Sequence, residues 1–484
     1  MRYALYTLII LLVFSTTVKA QDTTWDLRRC VEYAITNNIS IKQSDVQAKI
    51  AAIQYKQNKL SQYPNANFST NGAFNSGNNQ DPTTYQLITQ SYISAGVQLQ
   101  ASANIFNWFS KQNTIMASGW QADAAKATVD KLKNDIVLSV ANAYLQILLT
   151  REQANIAKLQ LELSKAQLDN TRKLVAAGSL PELNAAELEA QVATDTATYI
   201  NAKGNVDLNI LVLKSYMNVD AGEPFNIDSP TAELIPIESL AELQPEDVYK
   251  LAIVNLPQER VNELNLKAAK KNTEAAKAAM YPTLAAFGNL NSSYLATKTA
   301  LYDQSLNGYA PVPGFRVDAG GGTYYPVEQQ IVTTGDKVGY IRSNPFATQL
   351  SDNFRQSVGL NLSVPIFSGW SLHSSYEQSK LNVKNLQLKN DLDNQNLKQN
   401  IYQAYTQAIV ALEKFNASKK TVDASQRTFD FSKKRYDVGM IGTFELITNQ
   451  NNLFRAKLQY VQDQFDYVFK MKVLEYYKGQ GLKL

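Results

Sequence analysis

The side chains best equipped for chemistry are scarce in this chain. It holds one histidine, His373, and one cysteine, Cys30. Zinc sites are assembled from several His, Cys or carboxylate ligands, and a Ser or Cys nucleophile needs a base beside it. His373 has no companion ligand near it in the sequence, so a solvated or interfacial histidine is expected there rather than a metal site. One cysteine excludes an internal disulfide framework. Cys30 follows Arg28-Arg29 instead of small apolar residues, so it does not resemble a lipid-modified N-terminal cysteine. Asp and Glu number 43, which leaves a carboxylate enzyme open by count, but no segment gathers them into a pocket. No glycine-rich loop runs into a Lys-Ser/Thr pair, so nucleotide hydrolysis is not expected. The reading is no enzyme, no cofactor and no metal, with energy supplied by a partner. The 47 basic residues nearly balance the acidic ones, and no electrostatic footprint for nucleic acid remains.

What remains is chemistry of recognition, at helix ends and strand ends. Gly178 and Gly439 each follow a helical stretch with cations near its end, Arg172-Lys173 and Lys433-Lys434-Arg435. Cations favour a helix C-terminus, and glycine just beyond accepts a left-handed backbone. Each is at least an ordinary helix-turn-helix cap. Aromatic residues gather where strand patterning gives way to helix: Phe106, Trp108 and Phe109, then Phe367 and Trp370. Such rings suit a membrane–water interface, and packing beneath a barrel is a compatible alternative.

The elements that position these residues begin after a targeting segment. Met1-Arg2, the apolar stretch from Leu5 to Val13 and the small-residue pattern Val18-Lys19-Ala20 read as a signal peptide over 1–20, with Gln21 as the expected mature start. Beyond it no run of eighteen apolar residues occurs, so no membrane-spanning helix is expected.

The rest is one unit written twice. A shift of 218 places Ala34-Ile35 on Ala252-Ile253, Asn37 on Asn255 and Tyr63-Pro64 on Tyr281-Pro282. A shift of 261 places Ile105-Phe106 on Ile366-Phe367, Tyr144 on Tyr405, Gly178 on Gly439 and Tyr216 on Tyr477. The repeats run over 25–218 and 243–479, joined by a linker at 219–242. The two shifts differ by 43 residues, an insertion in the second copy. It falls within 301–352, rich in Gly and Pro, and is expected to be an extracellular loop, or else a disordered linker.

Each copy opens with a helix, Ile41–Gln62 and Val248–Met280, closed by a proline. Strand patterning follows. Ile93, Ala95, Val97, Leu99, Ala101, Ala103 and Ile105 alternate with polar or small residues, as do Val358, Leu360, Leu362, Val364 and Ile366. Partner strands are expected near 66–74 and 284–294. The period then becomes helical. From Lys111 to Ala176 there is no proline and one glycine, Gly119, enough for a helix of about 100 Å at 1.5 Å per residue. Returning helices repeat every seven residues, at Val192, Tyr199, Val206 and Leu213 and at Leu453, Tyr460, Tyr467 and Leu474. That spacing supercoils packed helices and also fits a plain coiled-coil rod.

Inside lipid every backbone polar group must be paired, so four amphipathic strands can enter a membrane only as part of a closed barrel. Four is fewer than the roughly eight strands of the smallest membrane barrels. Two, three or four chains sharing one barrel satisfy the arithmetic.

The order of elements and two motifs resemble the TolC-like outer-membrane efflux family. Leu27-Arg28-Arg29-Cys30-Val31-Glu32-Tyr33-Ala34-Ile35-Thr36-Asn37-Asn38 is similar to its opening helix. Arg435-Tyr436-Asp437-Val438-Gly439-Met440-Ile441-Gly442-Thr443-Phe444-Glu445-Leu446 is similar to its helix-tip motif. The resemblance spans 25–479. It implies an α+β membrane protein: a homotrimer with a twelve-stranded transmembrane β-barrel in outer-membrane lipid, four strands per chain. Long antiparallel coiled-coil helices would form a periplasmic α-barrel beneath it, whose tip meets an adaptor protein and an inner-membrane pump in a Gram-negative bacterium. Ala177, Gly178, Ser179, Val438, Gly439 and Met440 become the expected adaptor-docking tips. The family's acidic pair at the closed aperture falls on Glu445 and Thr448, so one acid is missing, and a solvated helix-surface Glu445 is the alternative reading. The first repeat has Asn184 and Glu187 there.

The expected function is an exit duct of a tripartite efflux system for small toxic compounds. The same duct serving type I protein or peptide secretion stands beside it, and a secreted coiled-coil scaffold behind both.

Overall fold

The computed structural model describes residues 24–80, 87–228 and 235–479. The expected signal peptide and the mature start at Gln21 lie outside the described residues, as do 229–234 of the linker.

The helix expected over Ile41–Gln62 is α2, Ile39–Leu60, and a separate α1, Leu27–Asn37, precedes it. Asp26 caps α1 by accepting from the Arg29 N–H at 2.7 Å. Asn38, buried at the junction, accepts from the N–H groups of Ser40 and Ile41 and donates to the Tyr216 carbonyl at 2.7 Å. The second copy breaks at the same place for a different reason. The single helix expected over Val248–Met280 is α5, Pro245–Asn255, and α6, Pro257–Ala278. Proline has no N–H to donate and pushes the residue before it out of the helical region; Leu256 accordingly has ψ 128°.

The long helices are α3, Ser110–Ala176, and α8, Ser371–Asp437, each of 67 residues, with return helices α4, Glu182–Met217, and α9, Thr443–Lys478. The lone glycine of α3, Gly119, faces the ring of Tyr55: an added Cβ would lie 3.3 Å from it. The strands are β1, Thr24–Trp25; β2, Asn65–Gln80; β3, Leu87–Phe106; β4, Asn226–Ile227; β5, Thr283–Ala296; β6, Lys298–Asp318; β7, Tyr324–Arg342; and β8, Arg355–Ser363. A seven-residue helix, α7, Phe346–Asp352, separates β7 from β8.

The chain divides into two compact units. The helical unit comprises Met1–Lys56, Thr114–Thr273 and Glu377–Leu484. Its largest core joins Cys30 and Ala34 of α1, Val140, Tyr144 and Ile147 of α3, Leu213 and Met217 of α4 and Phe465 of α9. A second core joins Val248 and Ala252 of α5, Ile401 and Ala408 of α8 and Met471 and Leu474 of α9. The heptad positions Leu213 and Leu474 are fully buried, whereas Val192 and Tyr199 are half-buried. Along the last turns of α9 the linker is strapped down by charge. Lys472 and Glu475, each 2% exposed, pair at 2.9 Å, and Lys472 also donates to the Pro236 carbonyl. Glu475 accepts from the Glu238 N–H.

The second unit, Gln57–Asn113 and Glu274–Tyr376, holds an antiparallel sheet in the order β2-β3-β5-β8. The register puts Phe68, Leu99 and Leu290 side by side, and likewise Ala103, Ala286 and Leu360. One apolar face results, and it is open: Phe68, Phe74, Val358 and Leu360 are each more than 65% exposed. Both edge strands, β2 and β8, lack a neighbour on their outer side among the described residues. The 301–352 insertion is regular structure: β6 and β7 make a long two-stranded ribbon closed by Gly320-Gly321-Gly322, and α7 follows.

Candidate functional site

Both helix-to-helix tips belong to the helical unit and share one backbone motif. At the end of α3 the Ser179 N–H bonds to the Leu174 carbonyl and the Gly178 N–H to Val175, with Gly178 at φ +78°. At the end of α8 Met440 bonds to Arg435 and Gly439 to Tyr436, with Gly439 at φ +74°. This pair of bonds closes orphan carbonyls at a helix end and calls for a left-handed residue, which is why glycine stands there. The turns leave Ala177, Gly178 and Ser179 exposed, and Val438 and Met440 about 70% exposed. Leu183 and Phe444 are also exposed, whereas Ile441 turns inward.

Glu445 is half exposed and faces Arg435 at 3.9 Å. Thr448 is exposed, and its hydroxyl donates to the Phe444 carbonyl at 2.8 Å. Asn184 and Glu187 sit at the matching turns of α4, half-buried.

One tip residue was quoted in the motif but not singled out. The Tyr436 hydroxyl lies 3.2 Å from the Thr171 hydroxyl and 3.3 Å from that of Thr443, so it joins α3 to both helices of the other tip. Further along, Ser164 of α3 donates to Asp195 of α4 at 2.6 Å and accepts from Gln450 of α9 at 2.8 Å, all three buried. Gln191 and Asn451 extend this layer.

In the sheet unit the aromatic residues stand where strand turns to helix. Phe106 packs on Trp108 and Phe109, and Trp108 packs on Tyr281 at 5.1 Å. Trp108, Phe109 and Trp370 all have positive φ, as does Gly369, so both copies make the corner through two successive left-handed residues. Phe367 and Trp370 are 86% and 65% exposed. His373 lies against the Trp370 ring at 4.3 Å, and no group of ligating side chains that could hold a metal occurs among the described residues. Cys30 is fully buried, and burial pushes its thiol up to about 12. No described helix is long and apolar enough to cross a membrane.

The model of the outer membrane efflux protein family matches residues 31–219 and 337–470. The chain belongs to that family. A relative, the outer membrane efflux protein BepC of Brucella suis, is 20% identical over 399 residues, 82% of this chain and 74% of BepC. Among solved structures, that of CusC superposes with a TM-score of 0.74 at 15% identity, covering 97% of this chain and 96% of CusC. The outer membrane channel CmeC of Campylobacter jejuni gives 0.70 at 16% identity, covering 94% and 86%. The fold is therefore that of an outer-membrane efflux channel protomer, and the family places the chain in the outer membrane.

Proposed function

We propose that three copies of this chain close a twelve-stranded barrel in the outer membrane and form the exit duct of a tripartite efflux system. The observation that carries this is the four-stranded sheet with an exposed apolar face and two unpaired edges. Such a sheet exposes apolar side chains to water and has unpaired edge amides that lipid cannot satisfy, and closure with further copies in a bilayer answers both. Twelve strands, the number three copies supply, lie within the range of known barrels. The 67-residue helices, at about 100 Å each, have the reach to line a periplasmic tunnel.

In this reading the exposed turns at Ala177–Ser179 and Val438–Met440 receive the hairpins of a periplasmic adaptor, which couples the duct to an inner-membrane pump. Glu445 contributes one carboxylate per copy at the aperture, with Thr448 beside it. Phe106, Trp108, Phe109, Phe367 and Trp370 stand at the periplasmic lipid interface. Cargo is small toxic compounds, in keeping with the efflux role in the name of BepC.

Ion conductance in a planar bilayer, with the oligomer mass measured in the same detergent, tests it. Discrete channels from a species of three chains are expected. A soluble species without channels would overturn the reading.

A further inference from the structure

The outer edge of β5 and of its continuation β6 is occupied by three successive elements, β8, α7 and β7, rather than one. Asn291 pairs with Arg355 at the start of β8. One step outward, Asn353 donates to the Ser293 carbonyl at 2.8 Å. At Leu295 the amide of Gln349, from α7, accepts from the backbone N–H and donates to the carbonyl, each at 3.0 Å, as a neighbouring strand would. Ser343 then bonds to the Thr297 carbonyl, and Arg342 of β7 stands opposite Lys298 of β6. The other edge belongs to β3, through Ser94 opposite Leu295 and Gln90 bonded to Lys298. Only Thr297 separates β5 from β6, so β7 runs along the same edge line that β8 occupies further in.

The lengths of the two sheet edges do not match. β2 has 16 residues and β8 has nine, about 54 Å against about 31 Å of edge at roughly 3.4 Å per residue. A band of about 25 Å suffices for lipid, so β8 alone completes the membrane part. The outer half of β2, from Asn75 through Asn78, is polar and remains without a partner on its free side. β7 meanwhile has a free edge of 19 residues. A two-stranded ribbon standing alone is marginal in water, and this one exposes Phe315, Val317, Tyr325, Val338 and Ile341.

We infer that β7 of one copy runs beside the outer half of β2 of the next, so that the β6–β7 ribbons carry the shared barrel outward as a collar. The occupant of the ribbon's free edge is thus a second copy of this chain. This rests on the shared-barrel reading above, because β7 extends the edge that β8 would present to its neighbour.

Disulfide scanning on the full-length protein tests it, in a Cys30→Ala background. Val338→Cys and neighbouring positions over 336–342 are combined with Asn75→Cys through Asn78→Cys. Within one chain β3 and β5 stand between β2 and the edge carrying β7, about 14 Å at three strand spacings, too far for an internal disulfide. Covalent dimers and trimers on non-reducing gels, at alternating combinations, are the expected result. A parallel scan of Leu360→Cys against 65–71 reports the β8–β2 closure itself. Cross-links there with none in the ribbon scan would overturn the collar and leave the barrel standing. No cross-links in either scan, from protein that is monomeric by mass, would overturn both.

Discussion

The hydroxyl of Tyr436 lies 3.2 Å from that of Thr171, which ties the tip of the second repeat to the long helix of the first. The same hydroxyl reaches Thr443 across its own turn at 3.3 Å. Tyr436→Phe keeps the ring and deletes both links. Each hydrogen bond of this kind contributes about 0.5–1.5 kcal/mol. The expected outcome is an unchanged oligomer mass and a higher single-channel conductance in planar bilayers, because the tips are less firmly held. Conductance equal to that of the unmodified protein would show that the link does not restrain the tip.

Glu445→Ala should leave assembly and melting temperature unchanged. Its pairing with Arg435 at 3.9 Å is exposed on both sides, and exposed pairs contribute little to stability. Cation preference should fall, since the carboxylate is the charge that the proposed aperture would present. Reversal potentials in a salt gradient measure this, and an unaltered potential would remove Glu445 from the pore.

Gly178 and Gly439 have open space where a Cβ would stand, so crowding does not decide substitution there. Their φ values of +78° and +74° do, because a β-branched residue in that region costs about 1–2 kcal/mol. The double variant Gly178→Val, Gly439→Val is expected to assemble normally and lose export. Gly178→Asn with Gly439→Asn, which tolerates the left-handed region, should retain most of it. A drug-accumulation assay on cells carrying each variant distinguishes the two.

Long-range periodicity was legible in the sequence, and local breaks were less so. The alternation from Ile93 to Ile105 and the proline-free run to Ala176 mark β3 and α3 because each pattern is repeated many times over. The break at Leu256 is written locally in Pro257, which pushes the residue before it out of the helical region. The break at Asn38 depends on a carbonyl of Tyr216, 178 positions away, which no local pattern contains. The ribbon at 298–342 was obscured by its Gly and Pro content and by registers that shift after Leu301, Tyr302, Leu306 and Pro311. At the tips, glycine and flanking cations identified the turns. The Tyr436–Thr171 link joins two repeats and could be seen only once they were folded together.

The buried pair of Lys472 and Glu475 should be sensitive to removal of one partner. Lys472→Met takes the ammonium away from the buried Glu475 carboxylate it pairs with at 2.9 Å, and removing one member of a buried pair typically costs about 3–5 kcal/mol. A fall in thermal midpoint of several degrees is expected by circular dichroism. Replacing both, Lys472→Met with Glu475→Leu, should recover much of the loss, since an apolar pair of similar volume can stand in for a buried ion pair.

Alkaline pH should weaken the helical unit. Burial raises the Cys30 thiol to about 12 from an ordinary 9.0, and it also raises the phenols of Tyr144 and Tyr476, the latter aided by its bond to Asp135. All three are neutral when protonated, so the folded state holds its protons more tightly than the unfolded one. Their contribution is complete below the unfolded pKa values and declines as pH rises from about 9 toward 12. Denaturant midpoints measured across that interval should fall steadily. Cys30 should resist maleimide at pH 8 in native protein and react once denaturant is added, as read by intact mass. Rapid labelling of the native protein would mean that the α1–α3 core opens readily, and the alkaline trend would then have a different origin.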